Sequence, residues 1–202
     1  MLFPNDRKLN FAVYEYNAAE VHIIPQLLLW FLMIDEFTLC AGTSSYIWPL
    51  IAPELQSTLT RLIYSPKMKY VSLTGFCNLP LTLFVMLTNI THLSMVCCTL
   101  EEDYVSFVNA EMGSIARLCS LYLCGFSTRM RKLVCARGQD GSPILDFSHL
   151  QKLDTSLLNW KALPAFQDLF KRVAHLTSIH LIGAQWKCTT FIYPSHVATF
   201  IC

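Results

Sequence analysis

The stretch from Ile90 to Leu100 constrains the fold of this chain more than any other. It reads Ile-Thr-His-Leu-Ser-Met-Val-Cys-Cys-Thr-Leu and fits the phrase L-x-x-L-x-L-x-x-[N/C]-x-L without a gap, with Cys98 at the ninth position. The alternation across Leu93 and Met95 predicts a short strand with one buried face. Because so short a strand cannot bury that face alone, it needs similar neighbours stacked beside it.

The apolar part of the phrase recurs along the chain. Its starts are Met68, Ile90, Leu118, Leu150 and Leu176, at steps of 22, 28, 32 and 26 residues. We therefore predict one domain over residues 1–202, with regular repeats over about 68–186 and a degenerate repeat or cap over 1–67. The atypical tail, 187–202, is either a capping strand or an aberrant end.

Helical spacing separates the predicted strands. It predicts helices over Glu54 to Tyr64 and Glu101 to Ala116, and further helices that open at Pro80 and Pro164. Strand and helix in alternation predict an α/β fold with a parallel sheet. The repeats make this a solenoid, with the curved sheet on the concave side and helices on the convex side.

Composition and charge exclude some partners. Apolar residues make up 53% of the chain, charged residues 14%, and the net charge is +1. So balanced a charge predicts no binding to nucleic acid or to an anionic membrane. The most apolar run, Val21 to Ile34, is too short for a bilayer span, which takes about 20 residues. We expect a buried strand or helix there.

The cysteines indicate the compartment. There are nine, an odd number, and no two form a C-x-x-C pair. We interpret them as small buried residues in a reducing environment, because neither a disulfide framework nor a zinc site fits this spacing. No secretory signal pattern opens the sequence. The expected location is intracellular, cytoplasmic or nuclear.

The sequence contains no phosphate-binding glycine loop, nucleophile elbow or H-E-x-x-H motif. We therefore expect no enzyme, cofactor or metal site, and look for a binding surface instead. The polar positions between the buried ones should face outward from the concave sheet, where tyrosines without a dominant charge suit a protein partner. The predicted partner-binding residues are Tyr70, Ser72, His92, Ser94, Ser120, Tyr122, Lys152, Asp154, Ser178 and His180. The alternative interpretation is that they are ordinary exposed strand residues.

Five segments carry a resemblance to a known family. They are Asp146 to Leu153, Leu169 to Arg172 with Leu176 to Leu181, and the inner pair Phe76 to Phe84 with Thr88 to Ser94. Together they resemble the leucine-rich repeats of F-box/leucine-rich-repeat proteins of mushroom-forming (basidiomycete) fungi, over roughly residues 25–186.

The resemblance implies a function as well as a fold. In that family an amino-terminal F-box docks on the Skp1 adaptor of a cullin-type ubiquitin ligase, and the repeats capture the protein substrate. No L-P-x-E-[IL]-like opening is present here, so the expected role is the substrate-recognition part alone, with Skp1 and cullin as partners only if an F-box is present elsewhere. The alternatives are a stand-alone repeat scaffold without a ligase link and a truncated product with no function.

Overall fold

The structure is a computed structural model. It describes residues 7–13, 23–31, 33–42, 46–101, 107–108, 115–125, 133–134, 136–138, 141–156, 169–182 and 199–201. Within these ranges the chain is an α/β protein built on one large parallel sheet, as the alternation of strand and helix patterns predicts.

The large sheet has eight strands, and their order across the sheet is their order along the chain. They are β1 (Lys8–Val13), β2 (Glu36–Ala41), β4 (Tyr70–Thr74), β6 (His92–Val96), β9 (Ser120–Cys124), β12 (Lys152–Ser156), β13 (Ser178–Ile182) and β14 (Thr199–Ile201). Every neighbouring pair is parallel. Five of these strands, β4, β6, β9, β12 and β13, each begin two residues after the start of a phrase. The sequence predicts strands at these positions.

Short ladders and helices accompany the large sheet in the described ranges. The two-stranded ladders pair β3 (Tyr46–Ile47) with β5 (Phe76–Cys77), β7 (Phe107–Val108) with β10 (Arg137–Gly138), and β8 (Ala116–Arg117) with β11 (Leu145–Asp146). The helices are α1 (Ile23–Leu28), α2 (Pro53–Ile63) and α3 (Thr82–Val85), with 3-10 turns at Leu29–Phe31 and Trp48–Leu50.

The strict register stacks the apolar side chains into two rows on the inner face of the sheet. One row runs through Phe37, Val71, Leu93, Leu121, Leu153 and Ile179, and the other through Leu39, Leu73, Met95, Leu123 and Thr155. All of these side chains are buried, and they share one core with the apolar face of α2, which includes Leu55, Leu59 and Leu62. The helical layer therefore lies on the inner face, and the opposite face is left uncovered by it.

The same pattern of hydrogen bonds joins successive strands of the large sheet where the strands begin. The carbonyl oxygen of Lys69 accepts from the amides of Thr91 and His92, at 2.9 and 3.0 Å. The oxygen of Thr91 accepts in the same way from Cys119 and Ser120. The residues that precede β1, β2, β9 and β12 show the same two-amide arrangement, in which one carbonyl oxygen accepts from two consecutive amides of the next strand start. The loops thus superpose one step after another, although the steps differ in length.

One helix prediction is wrong, and another falls mostly outside the described residues. The segment Glu101 to Ala116 is not a single helix, because Phe107–Val108 forms β7 and Ala116 begins β8; pairing with later strands overrides the helical spacing there. Most of the helix predicted from Pro164 lies outside the described residues. None of the described helices is long and apolar enough to cross a membrane.

Candidate partner-binding face

The outer face of the sheet consists of rows that the register also fixes. The first row contains Lys8, Glu36, Tyr70, His92, Ser120, Lys152 and Ser178, and the second row contains Asn10, Thr38, Ser72, Ser94, Tyr122, Asp154 and His180. All ten residues predicted to bind a partner lie in these rows, five in each. The structure therefore brings them onto one continuous surface.

The centre of this surface is aromatic. The rings of Tyr70 and His92 lie on adjacent strands with centroids 6.3 Å apart and planes at 36°. Tyr122 lies in the second row on β9, and its neighbour in that row is Ser94 on β6. Ser72 and Ser94 are only 8% and 6% exposed, so they offer less surface than their outward positions predict. The accessible centre is therefore formed mainly by Tyr70, His92 and Tyr122.

The end of the surface that lies towards β13 carries charge. Asp154 and His180 face each other across β12 and β13, with Oδ1 and Nδ1 3.4 Å apart. Their side chains are 19% and 32% exposed. Asp154 Oδ1 is enclosed and has no hydrogen-bond partner in the described part of the chain. The two groups form an ion pair only when the imidazole is protonated. Lys152 lies exposed in the first row of the same strand.

The opposite end extends beyond the predicted residues. Lys8 and Glu36 form an ion pair of 3.4 Å between β1 and β2, with side chains 56% and 46% exposed. The sequence carried a signal for this strand, because Ile34, Phe37 and Leu39 have the spacing of the phrase and all three are buried. The candidate surface is therefore two strands wider than the five regular phrases indicate.

A separate cleft of about 360 Å³ lies at the edge where the first strands begin. It is lined by Arg7, Met33, Asp35, Pro66, Lys67 and Lys69, none of which was predicted as a site residue. Arg7 and Asp35 lie 3.8 Å apart there, with Arg7 83% exposed. Nowhere in the described ranges do three side chains of the metal-binding types converge.

Two groups with strongly shifted pKa values belong to the core side of the molecule. Burial raises the pKa of the Cys98 thiol to about 11. Burial also raises the pKa of Tyr64 to about 12; its hydroxyl donates to the carbonyl of Thr82. Cys98 occupies the ninth position of the phrase, and its Sγ donates to the carbonyl oxygens of Leu73 and Val96, at 3.2 and 3.4 Å. The thiol thereby contacts the two adjacent strands β4 and β6.

No family model matches this chain, and comparisons with curated proteins and with solved structures found no match either.

Proposed function

We propose that the chain is a leucine-rich-repeat solenoid that binds a protein partner through the outer, concave face of its parallel sheet. The solenoid is supported by strands that pair in chain order and by the recurrent two-amide hydrogen bonds at the strand starts. Cys98, which bonds to the preceding repeat, has the role expected of the ninth phrase position. Helices on the other side of the sheet form the convex layer.

The observation that carries the binding function is the continuity of the first and second rows. Fourteen side chains from seven strands form one surface, with Tyr70, His92 and Tyr122 at its centre and charged groups towards its ends. Aromatic residues at the centre of a surface supply most of the binding energy in protein interfaces, and a polar surround excludes water from them. A surface so arranged fits a protein partner.

We further propose that the partner is a substrate of an F-box-type ubiquitin ligase, to which this module is linked through an F-box, Skp1 and cullin. The segments that resemble fungal F-box/leucine-rich-repeat proteins support this role. The six described cysteines are all free thiols, which supports a cytoplasmic or nuclear location. A stand-alone repeat scaffold that uses the same face without a ligase is the second candidate.

The proposal is tested by affinity purification from a fungal lysate with the full chain as bait, followed by mass spectrometry with Skp1 and cullin probed alongside. We expect a specific partner that is lost with Tyr122→Ala and with Lys152→Glu. The matched control is Arg61→Ala, which removes an exposed side chain from α2 on the other side of the sheet. That variant should retain the partner.

The outcomes separate the candidates. Recovery of Skp1 by this chain supports the ligase link, whereas a face-dependent partner without Skp1 supports the stand-alone scaffold. Partners that survive both face substitutions and disappear with Arg61→Ala contradict binding through the outer face. Recovery of chaperones alone supports the third possibility, a truncated product with no function.

A further inference from the structure

Asp154 is an unusual residue for the outer face. Its side chain is 19% exposed, and its Oδ1 atom is enclosed without a hydrogen-bond donor among the described residues. An ionised carboxylate can only accept hydrogen bonds, and a buried acceptor left without a donor destabilises the structure that contains it. A hydrogen-bond donor that reached this carboxylate would therefore stabilise it relative to its state in the free chain.

The neighbours of Asp154 define what that donor can be. In the second row it stands between Tyr122 and His180, and the nearest charge in the first row is Lys152. The Nδ1 atom of His180 lies 3.4 Å from Oδ1 but forms no hydrogen bond with it. A cation near Asp154 would also lie beside the Tyr122 ring, whose face attracts positive charge. The place is thus suited to one cation, and Lys152 repels a second.

We propose that Asp154 and Tyr122 form the subsite for a single basic side chain, lysine or arginine, of the protein partner. This inference rests on the proposed binding function of the outer face. In the free chain His180 lies against the carboxylate; in the complex the basic side chain supplies the donors that His180 does not. Asp154 keeps 19% of its side chain exposed on the outer face, and the basic side chain takes the place of His180 to reach the enclosed Oδ1.

The test is a selection of random phage-displayed peptides on the full, immobilised chain. The same library is applied to Asp154→Asn, which keeps the shape and removes the charge, and to Asp154→Glu, which keeps the charge. Arg61→Gln serves as the matched control, because it removes a charge from α2 on the other side of the sheet and leaves the outer face intact. Circular dichroism of each variant checks that the fold is retained.

We expect peptides selected on the wild-type chain to share one lysine or arginine position. Asp154→Glu and Arg61→Gln should keep that preference, and Asp154→Asn should lose it. For one selected synthetic peptide, replacing the basic residue by glutamine should weaken binding to the wild-type chain by about tenfold or more. The same replacement should have little effect on binding to Asp154→Asn.

Failure of this inference differs from failure of the proposed function. The selected peptides could share no basic residue and still lose binding with Tyr122→Ala. That result would overturn the cation subsite and would still support binding through the outer face. A basic preference that persists with Asp154→Asn also overturns it. If no peptide is selected, or if binding is indifferent to Tyr122→Ala, the proposed function of the face fails and the subsite fails with it.

Discussion

At the scale of single residues, Thr155 fits its position in the core least well. It is 1% exposed and lies in the inner row with Leu73, Met95 and Leu123, and its hydroxyl has no hydrogen-bond partner in the described ranges. Thr155→Val removes the unsatisfied hydroxyl and keeps the shape of the side chain. We expect the free energy of unfolding in urea to rise by about 1–2 kcal/mol.

Thr58 provides a control for this substitution. It is also buried, 6% exposed, but its hydroxyl donates to the carbonyl of Glu54 at 2.9 Å. Thr58→Val should therefore fail to stabilise the chain, since it removes a hydrogen bond that is satisfied. Equal effects of the two substitutions would contradict the role assigned to the unsatisfied hydroxyl of Thr155.

Cys98 predicts how stability depends on alkaline pH. Burial raises the pKa of its thiol from 9.0 to about 11, so in that range the folded chain keeps a proton that the unfolded chain releases. The stabilising contribution is complete below pH 9 and is lost as the pH rises towards 11. The free energy of unfolding should fall there by at most about 1.4 kcal/mol per pH unit on account of this thiol.

The measurement compares urea midpoints of the wild-type chain and Cys98→Ala across this range. The variant is expected to be less stable at neutral pH, because two hydrogen bonds to Leu73 and Val96 are lost. Its dependence on alkaline pH should be shallower than that of the wild type, although Tyr64, with a pKa raised to about 12, contributes a later decline to both. Parallel curves would refute a buried thiol at this position.

At the scale of elements, the turns that follow β4, β6 and β9 share one backbone requirement. Gly75, Cys97 and Gly125 each follow the last residue of a main-sheet strand, and all three have positive φ angles, of 77°, 51° and 74°. Glycine adopts this conformation without a steric penalty, and Cys97 shows that another residue is tolerated at some cost. The turn after the strand is therefore a repeated structural unit.

Gly75→Ala should destabilise the chain for two reasons. The left-handed conformation costs about 1–2 kcal/mol for a residue with a Cβ. That atom would also lie 3.1 Å from the Cβ of Ala41 on the preceding strand, which is tighter than ordinary contact. Gly141→Ala is the control, because Gly141 has a similar φ of 79° and nothing within 4 Å of the new Cβ. Urea unfolding should show the larger loss for Gly75→Ala.

The strands could be predicted from the sequence to the extent that the phrase was intact. The five starts from Met68 to Leu176 each precede a strand of the large sheet. The strand after Ile34 has the same apolar spacing, but a step of 34 residues and a polar Asp35-Glu36 pair concealed it. The segment around Phe107 shows the opposite error, since local helical spacing does not reveal pairing with β10.

The candidate site was predictable in position but not in detail. Alternation along each strand and register between strands suffice to place Tyr70, His92 and Tyr122 on one face. They do not indicate that Ser94 is nearly buried or that Asp154 has an oxygen without a donor, because both depend on the side chains of neighbouring strands. Repeat spacing therefore predicts a surface, and packing decides which residues a partner can reach.

At the scale of the whole molecule, the large sheet is a linear array. Each strand pairs only with the strands immediately before and after it in this sheet, so the stability of a repeat depends on its own core and on two neighbours. Regions in such an array open with different free energies, and the ends open most easily. The outer face therefore keeps its shape through its central strands, β4, β6 and β9, which also carry the aromatic centre.

This arrangement predicts how far a core substitution acts. Leu93 is 2% exposed in β6, and truncation to alanine should cost about 2–4 kcal/mol and lower the hydrogen-exchange protection of amides in both β2 and β12. Leu9 is partly buried in β1, so Leu9→Ala should lower protection in β1 and β2 and leave β12 unchanged. Exchange measured by mass spectrometry on peptic fragments distinguishes these regions. Equal loss of protection in β2 and β12 with Leu9→Ala would mean that the sheet unfolds as one cooperative unit, and that the aromatic centre has no stability advantage over the ends.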